Sequence, residues 1–89
     1  MAWKIEIDRD AKRDLDKIDR QEGRRILKFL YERVACLENP RSIGEALKGS
    51  RLGEFWKYRV GDYRIIASID DGCLRILVVR IGNRREVYR

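Results

Sequence analysis

Three features of the sequence predict an α+β fold of two layers, with helices on one face of a mostly antiparallel sheet. A short alternating segment opens the chain, two stretches with helical spacing of apolar residues follow, and strand patterns separated by turn residues occupy the rest. The predicted order is an N-terminal strand, a two-helix hairpin and a three-stranded antiparallel meander. With 89 residues the chain can bury one core, so residues 1–89 are expected to form a single domain.

The N-terminal half contains the predicted strand and helical hairpin. Residues 3–7 alternate between apolar and charged side chains, as in a half-buried strand. The first helix is expected after Asp8, a candidate N-cap, and the second after Asp19, which has the spacing of a capping box with Glu22. Pro40 ends the second helix. Apolar residues at helical spacing form the predicted buried stripes, which are Ala11, Leu15 and Ile18, then Ile26, Leu27, Leu30, Val34 and Leu37.

The C-terminal half has the pattern of strands. Residues 55–60 and 63–69 are rich in aromatic and β-branched side chains, and Gly61-Asp62 between them predicts a turn. A second turn is expected at Asp70-Asp71-Gly72, before residues 74–81, the most apolar run, which predict a central strand. Residues 41–53 contain three glycines and scattered apolar positions, so they are predicted to be a loop with at most one helical turn.

Composition and charge narrow the function class. Lys and Arg outnumber Asp and Glu by 21 to 15, which gives a net charge of +6 and favours an anionic partner. No apolar run approaches the ~20 residues that span a bilayer, and no signal-peptide stretch opens the chain, so a cytoplasmic protein without a membrane partner is expected. The chain lacks histidine, and Cys36 and Cys73 stand far apart. This pattern predicts no metal site, no cofactor, and reduced, mostly buried cysteines.

Basic side chains on the predicted sheet form a candidate site. Lys57 and Arg59 share one face of the strand over 55–60, and Arg64 on the next strand joins them if the register permits. The other face of that strand, predicted to face the core, carries Trp56, Tyr58 and Val60. The end of the chain adds Arg84, Arg85 and Tyr88. Guanidinium groups suit phosphate, and a phenol flanked by cations loses its proton more readily than in water, so these residues predict a phosphodiester-handling site.

Several segments of the chain resemble the RelE/ParE toxin superfamily of bacterial and archaeal toxin–antitoxin systems. They are Leu47-Lys48-Gly49, Trp56-Lys57-Tyr58-Arg59-Val60, Gly61-Asp62-Tyr63-Arg64-Ile65-Ile66 and residues 78–88, and the opening strand and hairpin fit as well. Within the superfamily, Tyr63-Arg64 and the pair Arg84 and Tyr88 resemble the RelE branch, whose members cleave messenger RNA in the ribosomal A site. The alternative is the ParE branch, which inhibits DNA gyrase without cleaving RNA.

The resemblance implies a metal-independent endoribonuclease and assigns its residues. The implied catalytic residues are Lys57, Arg64, Arg84 and Tyr88, and the implied RNA-binding residues are Arg59, Arg85 and Tyr63. The 2′-OH of the message would attack the scissile phosphate, with the phenol as general base and the cations stabilising charge. The implied partners are a ribosome with message in its A site and an acidic, RelB-like antitoxin.

Simpler interpretations stay open for some of these residues. Lys57 and Arg59 also fit a solvated strand face that discourages edge pairing, and Tyr63 also fits a core or stacking position. The basic residues of the second helix fit either contacts with ribosomal RNA or a solvated helix face; they are Arg24, Arg25 and Lys28. Where the family has a lysine, Arg59 can stabilise charge but does not readily transfer a proton.

Overall fold

The computed structural model describes residues 2–47 and 55–83. This part of the chain contains two helices and a five-stranded mixed sheet with the strand order β1-β5-β4-β3-β2. The helices are α1 (Arg9–Lys17) and α2 (Arg20–Lys28), and the strands are β1 (Lys4–Ile7), β2 (Glu45–Ala46), β3 (Phe55–Val60), β4 (Tyr63–Asp70) and β5 (Arg75–Asn83). Strands β1 and β5 are parallel, and the other neighbours are antiparallel. The predicted α+β architecture is confirmed.

The two helices begin where the sequence predicts. Asp8 is the N-cap of α1, and Asp19 is the N-cap of α2, where its carboxylate accepts a hydrogen bond from the Gln21 N–H at 3.1 Å. Helix α2 continues through a π-helical segment, Phe29–Arg33, and a 3₁₀ turn, Val34–Cys36. Among the buried residues of this helical segment, Ile26, Leu30 and Val34 lie four positions apart, and a widened turn keeps such a spacing on one face.

The core lies between the helices and one face of the sheet. Tyr58 and Val60 of β3 are buried there, and Trp56 is partly buried against the same cluster, so the predicted core face of this strand is confirmed. The Tyr58 hydroxyl donates to the Pro40 carbonyl at 2.5 Å. Burial raises the pKa of Tyr58 to about 12, although nearby Arg41 acts in the opposite direction. Tyr58 is therefore a neutral anchor that ties the turn before β2 to the sheet.

The turns around the central strand also agree with the sequence. Gly61 in the β3–β4 turn has a φ of +59°, which glycine adopts without steric cost. In the β4–β5 turn the Asp70 carboxylate accepts the Gly72 N–H at 3.0 Å, as expected of turn chemistry. Strand β5 lies between β1 and β4, which confirms its central position. Strand β1 pairs with β5 only as far as Val78. Beyond that point the Asp14 carboxylate of α1 accepts the Ile81 N–H at 2.8 Å and so takes the place of a strand partner for this backbone group.

Strand β2 was not predicted. Within residues 41–53 the structure has the expected helical turn, Pro40–Ile43, but Glu45–Ala46 then pairs with β3. A strand of two residues shows no alternation in the sequence, so only its partner reveals it. Residues 48–54 of the predicted loop lie outside the described residues.

The predicted burial of the cysteines is wrong. Cys36 and Cys73 are both free thiols with exposed side chains. Cys36 ends the 3₁₀ turn after α2, and Cys73 lies in the β4–β5 turn, where the chain runs along the surface. In the described ranges, no helix combines the length and apolar character that crossing a membrane requires.

Candidate active site

The register of β3 and β4 brings three predicted site residues together. Arg59 lies directly opposite Arg64, and Lys57 lies two residues away on the same side of β3. Because side chains alternate along a strand, all three project from the face opposite Tyr58 and Val60. They line a cavity of about 190 Å³, whose remaining walls are Ile43, Glu45 and Tyr58.

Arg64 is the most deeply placed cation of this cavity. The residue is only 7% exposed, and its Nη1 has no hydrogen-bond partner among residues 2–47 and 55–83. Arg59, by contrast, is exposed, and the side chain of Lys57 is 27% exposed. A solvated strand face accounts for Arg59 but not for a buried guanidinium, because burying a charge without full pairing is costly. The three cations of the cavity therefore differ in exposure, from the exposed Arg59 through the partly buried Lys57 to the buried Arg64.

A carboxylate that the sequence did not suggest also lines the cavity. Glu45 of β2 lies opposite Lys57 in the strand register, and its Oε2 is 3.3 Å from the Lys57 Nζ. Twelve positions separate the two residues in the chain, and β2 has no periodic pattern, so only the β2–β3 pairing reveals this neighbour. Among the residues that the structure describes, the site thus combines three cations with one acidic group.

Tyr63 lies apart from the three cations. It is adjacent to Arg64 in β4 and therefore points to the helix side of the sheet, where it is partly buried against the core. A separate depression contains it, together with Asp14 and Lys17 of α1. This position agrees with the packing interpretation of Tyr63. The remaining predicted site residues, Arg84, Arg85 and Tyr88, lie outside the described residues.

A second, wider groove adjoins the cavity through Arg59. It lies between α2 with its π-helical extension and the end of β3, and its volume is about 510 Å³. Its lining includes the cations Arg25, Lys28 and Arg33, in addition to Arg59, and one acidic residue, Glu32. Arg25 and Lys28, two basic residues of α2, therefore line the same groove as Arg59 of the candidate site. The groove thus extends the cationic lining beyond the cavity.

Comparison with known proteins gives the class. The family described as "ParE toxin of type II toxin-antitoxin system, parDE" matches residues 5–88. Toxin RelE of Mycobacterium tuberculosis is 30% identical over 87 residues, which cover 98% of this chain and 87% of that protein. The protein is therefore a toxin of a type II toxin–antitoxin system. It belongs to the RelE/ParE superfamily, as the resemblance in the sequence implied.

Solved structures share the fold. The toxin–antitoxin complex RelBE2 from M. tuberculosis matches with a TM-score of 0.84 at 22% identity, and the match covers 97% of this chain and 95% of that one. The archaeal RelE–RelB complex from Pyrococcus horikoshii matches with a TM-score of 0.75 at 23% identity, covering 98% and 100%. At this identity the likeness concerns the arrangement of helices and strands.

Proposed function

We propose that this toxin is a metal-independent endoribonuclease that cleaves messenger RNA in the ribosomal A site and so inhibits translation in the cytoplasm. The observation that carries the proposal is the cavity in which Lys57, Arg59 and the buried Arg64 converge. A phosphodiester under attack gains negative charge on its non-bridging oxygens, and preorganised cations in a partly enclosed site stabilise that charge. The relative named Toxin RelE supports the RelE branch.

The proposed reaction needs no external nucleophile. The 2′-oxygen attacks the phosphorus, the bond from phosphorus to the 5′-oxygen breaks, and a 2′,3′-cyclic phosphate remains. Arg64 binds a non-bridging oxygen from the cavity floor, and Lys57 supplies charge or a proton at the rim. On the family resemblance, Tyr88 takes the proton of the 2′-OH and Arg84 stabilises the transition state. The RNA chain is held by the exposed Arg59, which the wider groove also shares, and by Arg85.

The alternative is inhibition of DNA gyrase without RNA cleavage. It is favoured by one observation, since the family that matches residues 5–88 is described as that of the ParE toxin. A non-enzymatic toxin has no need for a buried guanidinium beside an ammonium in one cavity. The cavity therefore favours the nuclease.

Mapping RNA 5′ ends after induction of the toxin separates the two functions. We expect new ends inside codons of translated messages. In a reconstituted reaction we expect efficient cleavage of ribosome-bound message and poor cleavage of the same RNA free in solution, because the ribosome supplies orientation that an 89-residue chain does not. Intact messages together with gyrase-linked DNA breaks would establish the alternative, and equal rates on free and ribosome-bound RNA would contradict the dependence on the ribosome.

We also propose an acidic, RelB-like antitoxin as the protein partner. The net charge of +6 favours an acidic segment that folds on contact, and the structures that share this fold include toxins bound to RelB antitoxins. We expect coexpression with the product of a neighbouring gene to restore growth and to yield a complex whose affinity falls as salt rises. A chain that is harmless when expressed alone, and that binds no such product, would argue against the toxin itself.

A further inference from the structure

We propose that Glu45 is a positioning residue that stabilises the ammonium form of Lys57 in the candidate active site, and so favours Lys57 as a cation and proton donor over Lys57 as the general base. The inference rests on the proposed function and adds a role for Glu45, to which the family resemblance assigns none. It distinguishes between the two roles that a lysine can have in RNA cleavage, proton donor and general base.

The backbone holds Glu45 beside Lys57. The two residues are direct partners in the β2–β3 register, and the Leu47 N–H donates to the Phe55 carbonyl at 2.9 Å just beyond them. On the other side, Gly44 packs so closely on Tyr58 that an added Cβ would lie 3.0 Å from its ring. Chain positions on both sides of Glu45 are therefore tied to β3. The carboxylate reaches Lys57 because of this frame rather than through the free movement of a surface side chain.

The charges around Lys57 give the carboxylate its effect. Among the described residues of the cavity, the charged groups that face Lys57 are Glu45 from β2, Arg59 from its own strand and Arg64 from β4. Two permanent guanidinium charges favour the neutral amine, whereas a carboxylate at 3.3 Å favours the ammonium. The Lys57 side chain is 27% exposed, so water screens these interactions only in part.

The exposure of the pair suits exchange with a phosphate. Glu45 has a side chain that is 76% exposed, and such ion pairs contribute little net stability. A phosphate entering the cavity can therefore replace the carboxylate as the counter-ion of Lys57, which then arrives protonated. When the bond from phosphorus to the 5′-oxygen breaks, the ammonium proton passes to that oxygen, while the proton of the 2′-OH passes to the separate general base.

Side-chain NMR of the free protein tests the electrostatic part directly. The Lys57 Nζ is followed through a pH titration, with Lys57→Arg to assign its signal. We expect Glu45→Gln to move the Lys57 midpoint to lower pH by about 0.5 unit, and Glu45→Asp to move it by less. Glu38→Gln is the matched control, because it removes the same charge from an exposed position outside the cavity. Identical midpoints in the Glu45→Gln and Glu38→Gln variants would overturn the proposal.

The dependence of cleavage on pH tests the catalytic part. If Lys57 donates a proton, the rate of single-turnover cleavage of ribosome-bound message should fall at high pH, where Lys57 loses its proton. We expect Glu45→Gln to move the midpoint of this fall to lower pH by the same amount as the NMR midpoint. An equal loss of rate at every pH, with an unchanged titration of Lys57, would overturn the proposal and make Glu45 itself a reacting group. If the wild-type protein cuts no message but the titration shifts as expected, the proposed nuclease fails while the control of Lys57 by Glu45 is supported.

Discussion

Replacement of Arg64 by methionine is expected to slow single-turnover cleavage of ribosome-bound message by about 10²–10³, with a smaller change in ribosome binding. Arg64 is the buried cation of the cavity, directly opposite Arg59. A charge in such a place acts on the transition state with little screening by water, whereas the exposed Arg59 contributes less. The measurement is a time course with enzyme in excess over ribosomes, which isolates the chemical step.

The same variant is expected to keep or raise the thermal stability of the protein. Methionine matches the length of the arginine stem, and it removes a guanidinium whose Nη1 has no partner in the described ranges. The control is Arg13→Met on the exposed side of α1, which should change neither cleavage nor melting temperature. A cooperative loss of fold in Arg64→Met would mean that Arg64 supports the sheet, and wild-type cleavage would remove it from the reaction.

Local patterns predicted most of the sheet. Alternation along residues 55–60, together with Gly61 and Asp70 in the two turns, is enough to place β3, β4 and β5, because a strand period and a turn are both visible within a few residues. The same alternation placed Lys57 and Arg59 on the open face. These predictions needed no knowledge of distant contacts.

Long-range pairing explains what the sequence did not predict. Glu45 enters the site only because β2 pairs with β3, and the alternation of residues along β4 does not indicate that Arg64 is buried. Tyr63 shows a different case, since its position was available from alternation. Adjacent residues of a strand point to opposite faces, so Tyr63 packs on the helix side of the sheet while Arg64 lines the cavity.

The two faces of strand β3 have different roles. In β3, Tyr58 and Val60 are buried in the core, while Lys57 and Arg59 project from the opposite face and line the cavity, to which Tyr58 also contributes a wall. The Tyr58 hydroxyl also holds the turn that leads into β2 and hence to Glu45. Packing on one face thus positions charge on the other, and substitutions of Tyr58 would disturb both.

Replacement of Tyr88 by phenylalanine is expected to cause a loss of cleavage at least as large as that of Arg64→Met at neutral pH. Phenylalanine keeps the ring but removes the ionisable hydroxyl. A phenol with its reference pKa of ~10 is phenolate in only about one molecule in a thousand at pH 7, and a neighbouring cation lowers that pKa by ~1–3 units. Because the base must be deprotonated, the wild-type rate should rise with pH below the pKa of Tyr88, about tenfold per unit.

The pH profile of Tyr88→Phe should show partial recovery as hydroxide replaces the missing base. Tyr31→Phe is the matched control, because Tyr31 is 51% exposed and lies outside the cavity, so its profile should be that of the wild type. A wild-type rate for Tyr88→Phe across pH would make Tyr88 a stacking residue. The next candidate base would then be Lys57, which would first have to lose the proton that Glu45 favours. The titration of Lys57 in the free protein decides that conflict, since a base must be neutral at the pH at which it acts.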